Sequence, residues 1–371
     1  VPKNIVVCCD GTGNEFRDNN SNVVKLYYSL VIDPSVQIGY YHPGVGTMGA
    51  PTAHNRFTKK WSVFTGLAFG AGLLNNVADA YRYVMDLYEP GDRLFLFGFS
   101  RGAYTVRALA GVLHMFGLLR KGNEGLIPYV TRLYAKRSRD AEGMKHTFRI
   151  AEDFKATFSQ QCPVHFAGLW DTVSSVGWIW DPIRLPYVAQ NPDLHNGRHA
   201  VSIDERRCYF RNNLWGSSGP NQNIKQVWFA GVHSDVGGSY PEQESGLSKI
   251  TLQWMIREAT CFGLLTDLTR VDYILGLGPA PSPTFPVEHP PVPPDVTTPL
   301  HNSLTSAWWT LEAIPHSYFD AASGKVRWRI PMGARRMIPE NSTLHVSVQE
   351  KWNRDPAYRP PNVPNAYAVE R

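Results

Sequence analysis

The sequence predicts an α/β fold: a mostly parallel sheet with helices on both faces and long loop insertions. Three observations carry this. Short apolar runs alternate with segments of helical spacing, as buried parallel strands and their covering helices require. Four of these runs end in polar groups (Asp10, Ser100, Asp171 and His233), and reacting groups in open parallel sheets sit just beyond the carboxyl ends of strands. One run, Arg93–Phe99, passes through a glycine-flanked serine directly into a helical pattern.

In chain order, Asn4–Cys9 reads as a fully buried strand that ends in the glycine-rich turn Asp10–Asn14. Val36–Tyr41 is a second strand, followed by His42–Thr47. From Leu73 to Tyr88 the apolar residues Leu74, Val77, Ala78, Tyr81, Val84, Met85 and Tyr88 keep one helical face, and Glu89-Pro90-Gly91 stops it. The strand Arg93–Phe99 and a helix over Tyr104–Leu113 follow. Pro163–Trp170 and Ile224–Val232 are further strands, and Leu247–Phe262 is again helical. Two irregular stretches, 174–223 and 277–300, read as loop or lid insertions. The expectation is one domain over 1–352 and a proline-rich surface tail over 353–371.

Composition narrows the function. The chain has 371 residues, 43% hydrophobic and 19% charged, with a formal charge of +5. Basic residues are scattered without a long run, which argues against a nucleic-acid partner. No stretch reaches the roughly 18–20 apolar residues of a membrane span, so stable membrane insertion is not expected. The five cysteines show no regular spacing, which argues against a disulfide framework and a zinc site and for a reducing compartment. With Val1-Pro2-Lys3-Asn4 leading straight into a strand and no signal peptide visible, the expected location is cytoplasmic.

Gly98-Phe99-Ser100-Arg101-Gly102, set between strand and helix, has the context of a nucleophile elbow. Both glycines stand where a β-carbon would collide with neighbouring backbone. Ser100 would present its hydroxyl at the helix N-terminus, with the Arg101 N–H placed to stabilise an oxyanion. A serine hydroxyl needs an imidazole to take its proton, and the imidazole needs a carboxylate to fix its tautomer. Ser100, Asp171 and His233 follow the order Ser…Asp…His of α/β-hydrolases, each at a strand's end. His345 and His301 compete for the base, and Asp235 could replace Asp171. In the first turn, Gly11 and Thr12 are candidates for the second oxyanion donor. Asp10 either joins them or holds the loop by accepting its N–H groups. That turn lacks the Gly-Lys-Ser/Thr ending of a P-loop, so no nucleotide is expected. No third ligand joins His233 and Asp235 at recognisable spacing, so no metal is expected, and no cofactor is called for. Trp178, Trp180 and Trp215 are candidates to line an acyl or aromatic pocket.

Asp10–Asn14, Gly98–Ala103, Leu169–Val173 and Gly231–Gly238, occurring together in this order, make the chain resemble an uncharacterised α/β-hydrolase family. That family is typified by the class 1 lipase effectors of type VI secretion. The resemblance implies an α/β-hydrolase fold, ester hydrolysis, and phospholipase activity in the secreted members. It also implies that Ser100, Asp171 and His233 occupy the triad positions. The expected partner is therefore a small-molecule or lipid ester. The leading expectation is a cofactor-independent serine ester hydrolase. Its rivals are a lipase acting at a membrane surface and a catalytically silent scaffold used as a binding module.

Overall fold

The computed structural model describes residues 2–11, 19–44, 66–136, 140–173, 177–178, 181–182, 185–281, 289–320 and 325–371. Strands β1 (Asn4–Cys9), β2 (Gln37–His42), β3 (Arg93–Phe99), β4 (Val164–Trp170), β5 (Leu194–Ser202), β6 (Asn223–Phe229), β7 (Ser342–His345) and β8 (Tyr367–Glu370) form one sheet. Their order is β8-β7-β6-β5-β4-β3-β1-β2, and every pairing is parallel. The chain order reverses between β1 and β3, and open α/β sheets bind ligands beyond the strand ends at such a reversal. Asp10 and Ser100 follow these two strands directly.

The apolar runs fold as strands because both faces of the sheet are covered. In β1, Ile5, Val7 and Cys9 enter one core while Val6 and Cys8 enter the other; in β3, Leu94 and Leu96 oppose Phe95, Phe97 and Phe99. Helices α2 (Gly66–Leu87), α3 (Arg101–Phe116) and α4 (Ala141–Phe158) fill the first core. Helices α1 (Asn22–Ser29) and α6 (Gly246–Cys261) fill the second. Between these two in chain order lies the short α5 (His233–Gly237). Val201, Trp228 and Leu344 make a third core under α7 (Val346–Arg354), extending the sheet towards its C-terminal edge.

Two expectations need correction. The stretch 174–223 is not wholly irregular, because it contains β5 in the middle of the sheet. Hydropathy hides this strand: its Arg198 is buried, yet fully engaged by Glu258 (Nε to Oε2, 2.5 Å) and the carbonyls of Gly197 and Asn223. The tail 353–371 is not a surface appendage throughout. Its end forms the edge strand β8, pinned by Lys225 to Glu370 (2.7 Å) and by Arg257 to the Arg371 carbonyl (2.6 Å).

Candidate active site

Ser100 stands at the junction of β3 and α3 with φ 59° and ψ −121°, a conformation costly for a residue with a side chain. Its hydroxyl makes no helix-capping bond. The two flanking glycines make the turn possible by close approach. A β-carbon at Gly98 would lie 2.6 Å from the Ala103 nitrogen, and one at Gly102 would lie 2.1 Å from the Cys9 carbonyl oxygen. Replacing Gly102 by Ala is therefore expected to cost at least about 1–3 kcal/mol through overpacking. Gly125→Ala, where nothing lies within 4 Å, is expected to stay within about 0.5 kcal/mol. Thermal melts of the two variants check this; equal melting temperatures would refute the close-approach account.

Asp171, fully buried just after β4, accepts four hydrogen bonds. His233 Nδ1 and Arg336 Nη2 donate to Oδ2 at 2.5 and 3.0 Å; Arg336 Nη1 and the Ser202 N–H donate to Oδ1 at 2.6 and 2.9 Å. A carboxylate only accepts, so Nδ1 carries the imidazole proton and Nε2 is left as an acceptor. Burial opposes ionisation of Asp171, but the Arg336 charge and the His233 bond outweigh it and hold the carboxyl well below its usual range.

His233 opens α5 in the turn after β6. Its ring stacks on Phe99 (4.6 Å between centroids) and takes the edge of Phe210 (4.8 Å). Gly237 permits this stack, since a β-carbon there would lie 1.9 Å from the Phe99 ring. Burial pushes the imidazole pKa below its ordinary 6.5, with Asp171 offsetting part of the shift. Nε2 is buried without a hydrogen-bond partner, so no bond joins it to the Ser100 hydroxyl in this structure. The three residues are nonetheless neighbours in a closed circuit. The Ser100 N–H donates to the Trp170 carbonyl (3.0 Å), Asp171 follows Trp170 and binds His233, and His233 stacks on the residue before Ser100.

The first turn plays a different part from the one expected of Gly11. The Gly11 N–H donates to Asp10 Oδ1 at 2.6 Å, so it is committed to the loop and not presented as an oxyanion donor. Asp10 Oδ2 also accepts from Ser21 Oγ (2.6 Å) and Tyr41 OH (3.0 Å), which makes Asp10 the organiser of this corner. Thr12 lies outside the described residues, as does Trp180. Trp178 belongs to a two-residue strand, Gly177–Trp178, and its side chain lies outside the described part. Trp215 is buried in the first core. It packs edge-on to His199 (5.6 Å) with Arg107 over its ring (5.3 Å).

The rival groups are engaged elsewhere. His345 caps α7, with Nδ1 on Ser347 and its ring on Phe229 (4.6 Å); burial lowers its pKa to about 4. His301 sits between Asp235 (2.6 Å) and Glu244 (2.8 Å), so Asp235 serves His301 rather than His233. Three residues escaped the sequence reading: Arg336, Glu205 and Phe210. Glu205, fully buried, accepts the His233 backbone N–H (3.2 Å) and both ends of the Arg207 fork (2.9 and 2.8 Å). Burial opposes its ionisation, but Arg207 holds its pKa down to about 2. Only the Arg335-Arg336 pair carried a sequence signal, as a local basic spot without a partner.

Comparison with known proteins adds the following. The family described as T6SS, phospholipase effector Tle1-like, catalytic domain, matches residues 3–258. An uncharacterized protein of Saccharomyces cerevisiae is 38% identical over 219 residues, which is 56% of this chain and 32% of that protein; the chain thus spans about a third of the relative's length. Among solved structures, an uncharacterized protein from Pseudomonas aeruginosa is similar with a TM-score of 0.41 and 19% identity. That match covers 76% of this chain and 48% of the other. The Tle1 effector bound to the VgrG spike of the type 6 secretion system is similar with a TM-score of 0.35 and 19% identity, over 65% of this chain and 52% of the other.

Proposed function

This chain belongs to the Tle1-like phospholipase effector catalytic-domain family, and we propose that it is a serine hydrolase cleaving carboxylic ester bonds of a lipid through an acyl-enzyme. The observation that carries the reading is the buried Asp171–His233 pair at 2.5 Å beside a serine held in a strained strand-to-helix turn. In this reading His233 Nε2 takes the proton from Ser100 Oγ as the oxygen attacks the acyl carbon. The bond to the leaving alcohol breaks, and the imidazolium returns the proton to that alcohol. Water then attacks the acyl-enzyme, His233 again accepting a proton and passing it back to Ser100, which releases the fatty acid. Asp171 fixes the Nδ1–H tautomer and stabilises the imidazolium throughout.

Arg101 begins α3, and in this reading its N–H, in the first turn of the helix, stabilises the developing oxyanion. With the Gly11 N–H committed to Asp10, Thr12 is the proposed second donor. The unpartnered His233 Nε2 fits a resting site whose catalytic hydrogen bond forms with substrate bound. The family's phospholipase character supports a glycerophospholipid as the substrate class.

The base must be neutral to accept the Ser100 proton. Because burial lowers the His233 pKa, kcat/KM is expected to climb with pH through a midpoint below 6.5 and then hold. A midpoint above 6.5 would contradict the buried environment assigned to the base. The identity of the nucleophile is tested by labelling with a fluorophosphonate, locating the adduct by mass spectrometry, and following turnover of short-chain p-nitrophenyl esters and of phospholipid vesicles. An adduct on Ser100 with phospholipid turnover is expected. An adduct with short-chain turnover alone would replace the lipid reading by that of a soluble esterase. A folded chain with neither adduct nor turnover would refute the serine mechanism.

A further inference from the structure

We propose that Arg336, which lies beyond the stretch matched by the family model, is the positioning residue of the triad acid: its guanidinium grips both oxygens of Asp171 and so fixes the carboxylate that orients His233. The inference rests on the serine hydrolase reading above and deepens it. Arg336 is itself buried and held from several sides. Nη1 also donates to Ser202 Oγ (2.7 Å) and the Ser202 carbonyl (3.2 Å), Nη2 donates to the Phe210 carbonyl, and the Arg336 carbonyl accepts from Asn362 (3.0 Å). The fork is thus anchored to the C-terminal end of β5 and to the loop that carries Phe210 against His233, and the Arg336 backbone is tied to the C-terminal segment.

The chemistry requires an arginine. A carboxylate held only by an imidazole and one backbone N–H could still rotate its plane, whereas a planar fork donating to both oxygens removes that freedom. A lysine would supply the charge as a single point without fixing the plane. The guanidinium also settles the charge around the base. Among the described residues, the charged groups set about His233 are Asp171 after β4, Glu205 and Arg207 after β5, and, behind Asp171, Arg336; Phe99 and Phe210 supply its two aromatic faces, and Asp235 on α5 is taken by His301. Two carboxylates and two guanidiniums cancel around a neutral imidazole. Removing Arg336 would leave a net negative surrounding that favours the imidazolium.

This gives a readout that a merely structural arginine would not move. The full chain and its Arg336→Met and Arg336→Lys variants are compared in hydrolysis of p-nitrophenyl butyrate across pH, with folding checked by circular dichroism. Arg336→Met is expected to lower kcat by about 10²-fold with KM little changed. Its acid limb is expected to move to higher pH by about one unit. Arg336→Lys, which keeps the charge, is expected to hold the acid limb near that of the parent chain while recovering kcat only in part. A folded Arg336→Met with the parent's kcat and acid limb overturns the proposal. If Arg336→Met does not fold, Arg336→Lys decides: the parent's kcat overturns the proposal, and a lowered kcat at unchanged KM sustains it. Absence of turnover in the parent chain, or a fluorophosphonate adduct away from Ser100, overturns the hydrolase reading itself and this inference with it.

Discussion

Ser100→Ala is expected to abolish ester hydrolysis, with kcat falling by roughly 10⁴–10⁶-fold, while the protein remains folded. The loss is large because no other group among the described residues of the site is placed to form the acyl-enzyme. Asp171 is bound by His233, Arg336 and Ser202, and His233 presents a single free nitrogen. Folding should survive because the Ser100 hydroxyl caps no helix, and because Ala can occupy the same backbone conformation that Ser100 already bears. Some rate above that of water should persist, since the substitution leaves the proposed oxyanion donors in place. Retention of more than a tenth of the activity in a folded variant would refute a serine nucleophile at this position.

Exchange of the two competing histidines gives the second large effect. His233→Ala is expected to lower kcat by a similar factor, because a unit of nucleophile, base and orienting acid fails when one member is removed. Asp171 stays paired with Arg336 and the Ser202 N–H, so this variant does not leave an orphaned buried charge. His345→Ala should leave kcat/KM within a few-fold and instead cost about 1 kcal/mol of stability, the usual loss on removing a helix cap. Steady-state kinetics and thermal melts on the pair separate the two roles. An inactive His345 variant beside an active His233 variant would reverse the assignment of the base.

Much of the central architecture is legible in the sequence because parallel strands are buried on both faces and write themselves as apolar runs. β1, β3 and β4 have this form, and each is followed directly by a residue of the site. Gly98 and Gly102 could be assigned a steric reason before any coordinates, since the spacing alone puts them at a tight strand-to-helix turn. β5 broke the rule. Its polar residues are buried but satisfied by partners distant in sequence, above all Glu258 for Arg198. Hydropathy registers the polarity and not the satisfaction. β8 escaped for a similar reason, being an edge strand whose partner, β7, is specified by the sheet and not by its own sequence.

The sequence by itself determined the strands β1 to β4 and β6, the helices α2, α3 and α6, the elbow at Ser100, and the candidates Asp171 and His233, because these depend on local spacing and on the chemistry of single residues. Only the tertiary structure decided which histidine meets the acid, that Asp10 gathers Ser21 and Tyr41, that Trp215 belongs to the core, and that Arg336 grips Asp171 from 165 residues away. Each of these is a pairing between polar groups, or a packing contact, whose partners are set by the path of the folded chain. A hydrogen bond requires its donor and acceptor within about 3 Å, and separation along the sequence carries no information about that distance once the chain has folded back on itself.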